Sequence, residues 1–301
     1  MTSRRARVIA AAAVSVLALA TAACSGDGGA SGQPADGKIK ALASIDVWGA
    51  VVSAVGGDKV AVTSIIHDPS ADPHSYETTP ADSLAAQQSK LTIGNGGGYD
   101  DFFGNLSKQA AGDAKKLTAY EIAATGDENE HVWYSLPTVK KVADQVAAAL
   151  GEVQPASKQA FADNAAAFKT KVDDLEKKVA GAGAAHPDSK IAATEPVAHY
   201  LLETAKVTDA TPEEFSKAVE EEQDVPAAAV AEVKALVSDK KVKALVNNVQ
   251  TVTPTTEQVV AAAKGAGVPV VDVSETLPAG VTDYIAWMSK QVDALVGALN
   301  G

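Results

Sequence analysis

Short β-rich runs alternate with helical patterns along most of the chain. Runs of β-branched and other apolar residues predict two successive sets of strands, with a segment of different rhythm between them. The predicted strands cover 59–66, 91–96, 117–123, 190–194, 242–248 and 268–274. Helical patterns lie at 137–150, from Pro196 onward, at 255–267 and at 284–299. This alternation is typical of an α/β fold with mostly parallel sheets.

The segment between the two sets predicts one long helix. Its apolar side chains recur every three or four residues and so form a single stripe. They are Phe161, Ala165, Phe168, Val172, Leu175 and Val179. A helix from Pro155 to about Val179 would extend about 37 Å. A coiled-coil arm is the alternative, but the narrow stripe and its small flanking alanines favour a helix packed across two lobes. We therefore expect an N-terminal lobe at 39–153, a linking helix at 154–182 and a C-terminal lobe at 183–301.

The first residues carry the pattern of an export signal. A basic start, an apolar run and small residues lead to Cys24, which predicts a signal peptide at 1–23. The sequence TAAC at 21–24 resembles a bacterial lipobox, which implies lipid attachment at Cys24. The alternative is an ordinary signal with an incidental cysteine. Residues 24–38 are rich in glycine, serine and alanine and predict a flexible tether. Because Cys24 is the only cysteine, an intramolecular disulfide and a thiolate metal cage are both excluded.

The charge of the chain argues against nucleic acid as a partner. The 26 basic residues include three arginines, all within the predicted signal. The remainder carries 23 lysines against 38 acidic residues, a net charge of −15. Nucleic-acid binding requires a basic face. An acidic surface attracts cations, although it also serves solubility alone.

Four donor side chains fall where predicted strands end. His74 follows the strand at 59–66, and a helix start with Thr79 as its cap comes just after it. His131 follows 117–123, Glu195 ends 190–194, and Glu275 ends 268–274. In open α/β sheets, ligands collect at the carboxyl ends of strands, where several loops converge. Two imidazoles and two carboxylates therefore predict a four-donor site in a cleft between the lobes.

Several separated motifs resemble the solute-binding proteins of bacterial metal-ion ABC transporters, the zinc- and manganese-binding cluster. The resemblance covers essentially all of 40–300 and rests on DPHSYE at 72–77, NGGGYDDF at 95–102, EHVWYSLP at 130–137, ATEPVAHYLL at 193–202 and VSETLP at 273–278. It implies two α/β lobes joined by one long helix. It also implies that the metal ligands are His74, His131, Glu195 and Glu275.

The sequence departs from the family pattern at the ligands themselves. The third ligand position is a glutamate rather than the histidine common in zinc members, and the usual His-rich loop before His131 is absent. Asp272 competes with Glu275 for the last position, and we prefer Glu275. Further residues could orient the ligands or shield the site, and each has an ordinary packing alternative: Asp72, Tyr76, Glu77 and Tyr200. We expect His199 to support the ligands or to lie at the surface, and His67 and His186 to be loop residues. The acidic run 220–224 predicts a solvated helix end, with a metal-capturing patch as the less favoured alternative.

The resemblance implies a lipid-anchored, monomeric receptor on the outer face of the cytoplasmic membrane. It would capture Zn2+ or Mn2+ and deliver the ion to a membrane permease. A set of two histidines and two carboxylates lies between the preferences of zinc and manganese, so the sequence leaves the metal open. The main alternative is a metallohydrolase that uses the same cluster, but the chain has no His-Glu-x-x-His pair and no Gly-x-Ser-x-Gly elbow. A binding protein for an organometal or siderophore, or an adhesin on the same scaffold, is a weaker alternative because the mature chain has no arginine.

Overall fold

Two four-stranded parallel sheets form the framework of the chain. The structure is a computed structural model that describes residues 37–68 and 76–301. The first sheet has the strand order β2-β1-β3-β4 and the second has the order β6-β5-β7-β8. The strands are β1 (Ile39–Ile45), β2 (Val60–Ile66), β3 (Leu91–Gly94), β4 (Lys115–Thr118), β5 (Lys190–Ala193), β6 (Thr208–Asp209), β7 (Leu245–Asn248) and β8 (Val270–Val273). Both lobes lie within one compact unit that extends to Gly301, and the predicted α/β class is confirmed.

The two sheets repeat the same topology. In each sheet the first strand of the lobe lies between the second and the third, so the chain direction across the sheet reverses beside that first strand. Such a reversal leaves a crevice at the carboxyl ends of the two central strands, where α/β proteins bind ligands. The crevice of the first lobe lies at the ends of β1 and β3. The crevice of the second lobe lies at the ends of β5 and β7.

Eleven α-helices cover the sheets in the described part of the chain. They are α1 (Asp46–Gly56), α2 (Pro80–Gln88), α3 (Asp101–Lys108), α4 (Ala119–Ala123), α5 (Leu136–Val153), α6 (Lys158–Ala185), α7 (His199–Ala205), α8 (Glu213–Glu220), α9 (Ala227–Ser238), α10 (Pro254–Ala266) and α11 (Tyr284–Asn300). The predicted cap is present: the Thr79 side chain accepts from the backbone N–H of Asp82, whose carboxylate accepts from the backbone N–H of Thr79. None of the helices in the described residues combines the length and apolar character needed to cross a bilayer.

Helix α6 is the predicted linking helix. It contains 28 residues and begins and ends a few residues later than the sequence predicts. Its stripe is buried as expected, from Phe161 to Val179. The helix packs against α1 and α5 of the first lobe and against α7 and α11 of the second. It therefore contacts both lobes along its length.

Two parts of the first lobe differ from the expectation. Strand β1 and helix α1 were not predicted, because β1 is buried almost throughout and passes directly into an apolar helix with no turn residue between them. The predicted strand at 117–123 is wrong beyond Thr118. Pairing of β4 with β3 ends at Gly94 and Thr118, and the apolar residues that follow belong to α4.

In the second lobe, the helix predicted to start at Pro196 begins later. Pro196–Ala198 forms a 3-10 turn, and α7 begins only at His199.

The close approach of α6 to the end of α7 predicts a stability effect. A Cβ added at Gly183 of α6 would lie 1.6 Å from the backbone oxygen of Ala205, the last residue of α7. We expect Gly183→Ala to lower the free energy of unfolding by roughly 1–3 kcal/mol, since the two backbones must separate. Gly181, two residues earlier, has open space around it, so Gly181→Ala should raise stability by up to about 1 kcal/mol. Urea unfolding of both variants tests this, and equal midpoints would contradict it.

Candidate metal centre

Glu195 and Glu275 come together at the crevice of the second lobe. Glu195 lies two residues beyond β5 and Glu275 two residues beyond β8. Asn248, the last residue of β7, joins them: its side-chain Nδ2 donates to Glu195 Oε2 at 2.5 Å and to Glu275 Oε1 at 2.8 Å. Strand β7 lies between β5 and β8, so the central strand supplies the bridge between its two neighbours.

Further hydrogen bonds fix this arrangement. The backbone N–H of Asn248 donates to Thr194 Oγ1, and Gln250 Oε1 accepts from the backbone N–H groups of Glu275 and Thr276. The turn that carries Glu275 is thus held by the loop after β7. Both glutamates are more than nine-tenths buried, and buried charges need partners of this kind.

His131 is presented by a loop of the first lobe that follows α4. Asn129 Oδ1 accepts from the backbone N–H of His131 at 2.9 Å and lies 3.2 Å from the ring nitrogen Nδ1. The other side-chain atom of this amide, Nδ2, donates to the backbone oxygen of Pro196, so Oδ1 must be the atom that faces His131. An amide oxygen only accepts, so Nδ1 carries the proton and Nε2 keeps the lone pair that can bind a metal.

Tyr99 connects His131 with the carboxylates of the other lobe. Its hydroxyl donates to Glu275 Oε2 at 2.8 Å, and its ring packs edge-on to the His131 imidazole with 6.1 Å between centroids. The Trp133 ring lies against both rings. The structure therefore brings His131, Glu195 and Glu275 into one buried cluster at the junction of the lobes.

The turn after β8 is tied to the first lobe at two further points. The hydroxyl of Tyr134 donates to the backbone oxygen of Ser274 at 2.8 Å. The backbone N–H of Leu277 donates to the carboxylate of Asp46, the first residue of α1. Burial raises the pKa of Asp46 to about 6 despite this hydrogen bond. Glu275 is consequently positioned by both lobes, not by its own strand alone.

The cluster is strongly acidic for a buried region. Burial raises the pKa of Glu195 to about 7; the Asn248 hydrogen bond opposes the shift and the charge of Glu275 adds to it. Glu220, the last residue of α8, lies 3.9 Å from His131 Nδ1. Burial and the charges of Glu130, Glu195 and Glu275 raise its pKa to about 8. A cation at this place would stabilise the ionised form of each carboxylate.

The remaining predicted residues have other positions. Asp272 is exposed on β8 and accepts from Asn247, away from Asn248. Tyr76 packs on Phe102 and donates to Asp82, while Glu77 is exposed. Tyr200 donates to the backbone oxygen of Asn129 and so supports the His131 loop. His74, Asp72 and Cys24 lie outside the described residues, as do the predicted signal and most of the tether.

The other histidines lie apart from the cluster. His199 pairs with Asp127 at 3.1 Å and with Glu203 at 3.6 Å at the protein surface. His67 contacts the backbone oxygens of Ser64 and Ile65. His186 Nε2 lies 2.7 Å from Asn300 Oδ1. Their positions agree with the ordinary roles that the sequence predicts for them.

Three residues of the cluster were missed from the sequence. Asn248 is the last residue of a predicted strand, close to where the glutamates lie on theirs, but nothing in its sequence context marks it as part of the site. Tyr99 lies within the NGGGYDDF segment, but nothing in that segment indicates a contact with the other lobe. For the acidic run 220–224 we favour a solvated helix end over a metal-capturing patch, which is wrong for Glu220: its side chain is only 26% exposed and lies 3.9 Å from His131 Nδ1.

A family profile matches almost the whole described chain. Residues 42–298 match the family described as "Zinc-uptake complex component A periplasmic" (ZnuA). The chain belongs to this family. The ZnuA family comprises substrate-binding proteins of transporters and not enzymes, and the resemblance inferred from the sequence motifs is confirmed.

Individual relatives agree with the assignment to the ZnuA family. The chain is 26% identical over 175 residues to the "Manganese-binding lipoprotein MntA" of Bacillus subtilis, and 29% identical over 201 residues to the "Metal ABC transporter substrate-binding lipoprotein FimA" of Streptococcus parasanguinis. These matches cover 55% and 58% of this chain, and 56% and 62% of the relatives. The chain thus spans little more than half the length of the curated relatives it matches.

A solved structure shows the same fold. The periplasmic zinc-binding protein TroA of Treponema pallidum superposes with a TM-score of 0.72 at 18% identity, covering 87% of this chain and 99% of the other.

Proposed function

We propose that this protein is the extracytoplasmic solute-binding component of a metal-ion ABC transporter, which captures Zn2+ or Mn2+ between its lobes and delivers it to a permease. One observation carries the proposal: two buried carboxylates share one amide donor beside the His131 imidazole, in a cluster to which both lobes contribute. Imidazole and carboxylate together suit both ions. Membership of the ZnuA family supports the same conclusion, as do the metal-binding roles given in the names of MntA, FimA and TroA.

The ligands of the captured ion are proposed to be His131, Glu195 and Glu275, completed by His74 from the segment outside the described residues. Four protein donors would close the coordination shell and leave no position for a reactive water, which suits capture rather than catalysis. The metallohydrolase alternative receives no support from the family.

The attachment and assembly of the protein are part of the proposal. The names of MntA and FimA describe lipoproteins, and the sequence TAAC places a cysteine at the expected point. We propose that Cys24 carries the lipid anchor, that the protein faces outward from the cytoplasmic membrane, and that it acts as a monomer.

Glu275 and Asp272 form a matched pair for testing the site. The purified protein should bind one Zn2+ or one Mn2+ per chain in calorimetric titrations. Glu275→Gln should weaken binding of either ion at least about tenfold, or about 1.4 kcal/mol, because the charged donor is lost. Asp272→Asn should bind as the unchanged protein does, since Asp272 contacts Asn247 at the surface.

The outcomes separate the function from the assignment. Absence of metal binding by the unchanged protein would refute the function. If Asp272→Asn lost affinity while Glu275→Gln kept it, the function would stand but the ligand assignment would have to change.

A further inference from the structure

We propose that Asn248 is a specificity-determining residue that limits Glu195 and Glu275 to one metal-binding oxygen each, and so disfavours Mn2+ relative to Zn2+. The inference rests on the proposed function and deepens it. Asn248 would not contact the ion. It would act through the two carboxylates that its side chain joins.

The amide group of Asn248 uses its hydrogens on both carboxylates. Nδ2 donates to Glu195 Oε2 at 2.5 Å and to Glu275 Oε1 at 2.8 Å, and it lies 3.1 Å from Thr251 Oγ1. The first two contacts are hydrogen bonds to groups that become anionic when they bind a metal, and such bonds are about twice as strong as neutral ones.

The surroundings of Asn248 fix the direction of its amide. Its Oδ1 accepts from the backbone N–H of Gln250 at 3.1 Å, and its own backbone N–H donates to Thr194 Oγ1. With Oδ1 held by a donor, Nδ2 must face the carboxylates. The residue is 2% exposed, so water does not compete for these hydrogen bonds.

A donor on one oxygen opposes chelation by that carboxylate. Bidentate binding requires both oxygens to approach the ion together, whereas Asn248 holds Oε2 of Glu195 and Oε1 of Glu275. The other oxygen of Glu275 accepts from Tyr99. Each carboxylate is able to ligate through one oxygen in the orientation that these donors fix. Chelation would require the carboxylate to turn both oxygens toward the ion, and that rotation would pull it away from the fixed, buried amide of Asn248.

The number of carboxylate oxygens bears directly on the choice of ion. Zn2+ is satisfied by four ligands in a tetrahedron. Mn2+ favours octahedral, oxygen-rich coordination, which bidentate carboxylates help to supply. Because Zn2+ already binds a given nitrogen and oxygen site more tightly than Mn2+, the measurable effect of Asn248 is a change in the ratio of the two dissociation constants.

The test compares two neighbouring asparagines. Asn248→Ala and Asn247→Ala are titrated with Zn2+ and with Mn2+, and Co2+ absorption spectra report the coordination number. We expect Asn248→Ala to lower the ratio of the Mn2+ to the Zn2+ dissociation constant at least about tenfold, within the range known for outer-shell substitutions. Its Co2+ spectrum should lose intensity as the coordination number rises. Asn247 donates to Asp272, and Asn247→Ala should leave both readouts unchanged.

A second variant protects the test against a folding defect. Asn248→Ser retains a single donor that can hold only one carboxylate. Its ratio of the Mn2+ to the Zn2+ dissociation constant should lie between the ratios of Asn248→Ala and the unchanged protein. Three results would overturn the proposal, because Asn248 would then serve only the fold. They are equal weakening of Zn2+ and Mn2+ binding, an unchanged ratio of the two dissociation constants, and loss of the folded state in both variants. Failure of the unchanged protein to bind either ion would instead refute the proposed function.

Discussion

His131→Ala is expected to lose at least about 100-fold in affinity for both Zn2+ and Mn2+, or about 2.7 kcal/mol. The substitution removes the imidazole that is proposed to bind the ion through Nε2, and whose Nδ1 contacts Asn129 Oδ1. Of the proposed ligands in the described residues, His131 is the one contributed by the first lobe, so its loss also removes a link across the cleft. Competitive calorimetry at neutral pH measures the effect.

His199→Ala provides the matched control. This imidazole lies at the surface on α7 and pairs with Asp127 and Glu203, so its removal should leave both affinities within about twofold, in keeping with the small energies of exposed ion pairs. Circular dichroism should show both variants folded. Binding by His131→Ala as tight as that of the unchanged protein would show that the site assignment is wrong.

The order of strands along the chain was enough to predict much of the architecture. Apolar runs identified β2, β3, β5, β7 and β8, and the stripe from Phe161 to Val179 identified the linking helix. These features are local or periodic, so the sequence displays them directly. Strand β1 escaped prediction because it passes directly into the apolar helix α1, with no turn residue to separate a strand pattern from a helical one.

From the sequence, the candidate site could be predicted only for residues that follow a predicted strand. Glu195 and Glu275 each follow a predicted strand, but the sequence does not show that β7 lies between β5 and β8 in the sheet. Without that order, Asn248 cannot be recognised as the bridge between the two carboxylates. A related reason applies to Glu220: its acidic neighbours indicate a solvated helix end, and the sequence does not show that its carboxylate lies 3.9 Å from His131 Nδ1.

Glu195→Gln is expected to stabilise the metal-free protein at pH 8 by on the order of 3 kcal/mol. Burial raises the pKa of this carboxyl to about 7 in the folded state, against an ordinary value of 4.5. Between these values the folded protein holds a proton that the unfolded chain releases, so stability falls as the pH rises through this window and levels off above it. Glutamine removes the charge while keeping an oxygen that can accept from Asn248.

Urea unfolding of the metal-free protein at pH 5.5 and pH 8 measures this effect. The unchanged protein should be the more stable at pH 5.5, and Glu195→Gln should reduce the difference. A residual slope of the same sign should remain, since the raised pKa values of Asp46 and Glu220 act in the same direction. Glu203→Gln, an exposed position on α7, should change stability by less than about 0.5 kcal/mol at either pH. A Glu195→Gln protein less stable than the unchanged one at pH 8 would contradict the prediction. The expected gain in stability of Glu195→Gln comes with a loss of metal affinity. The charge that destabilises the metal-free protein is the same charge that a metal ion requires of its ligand.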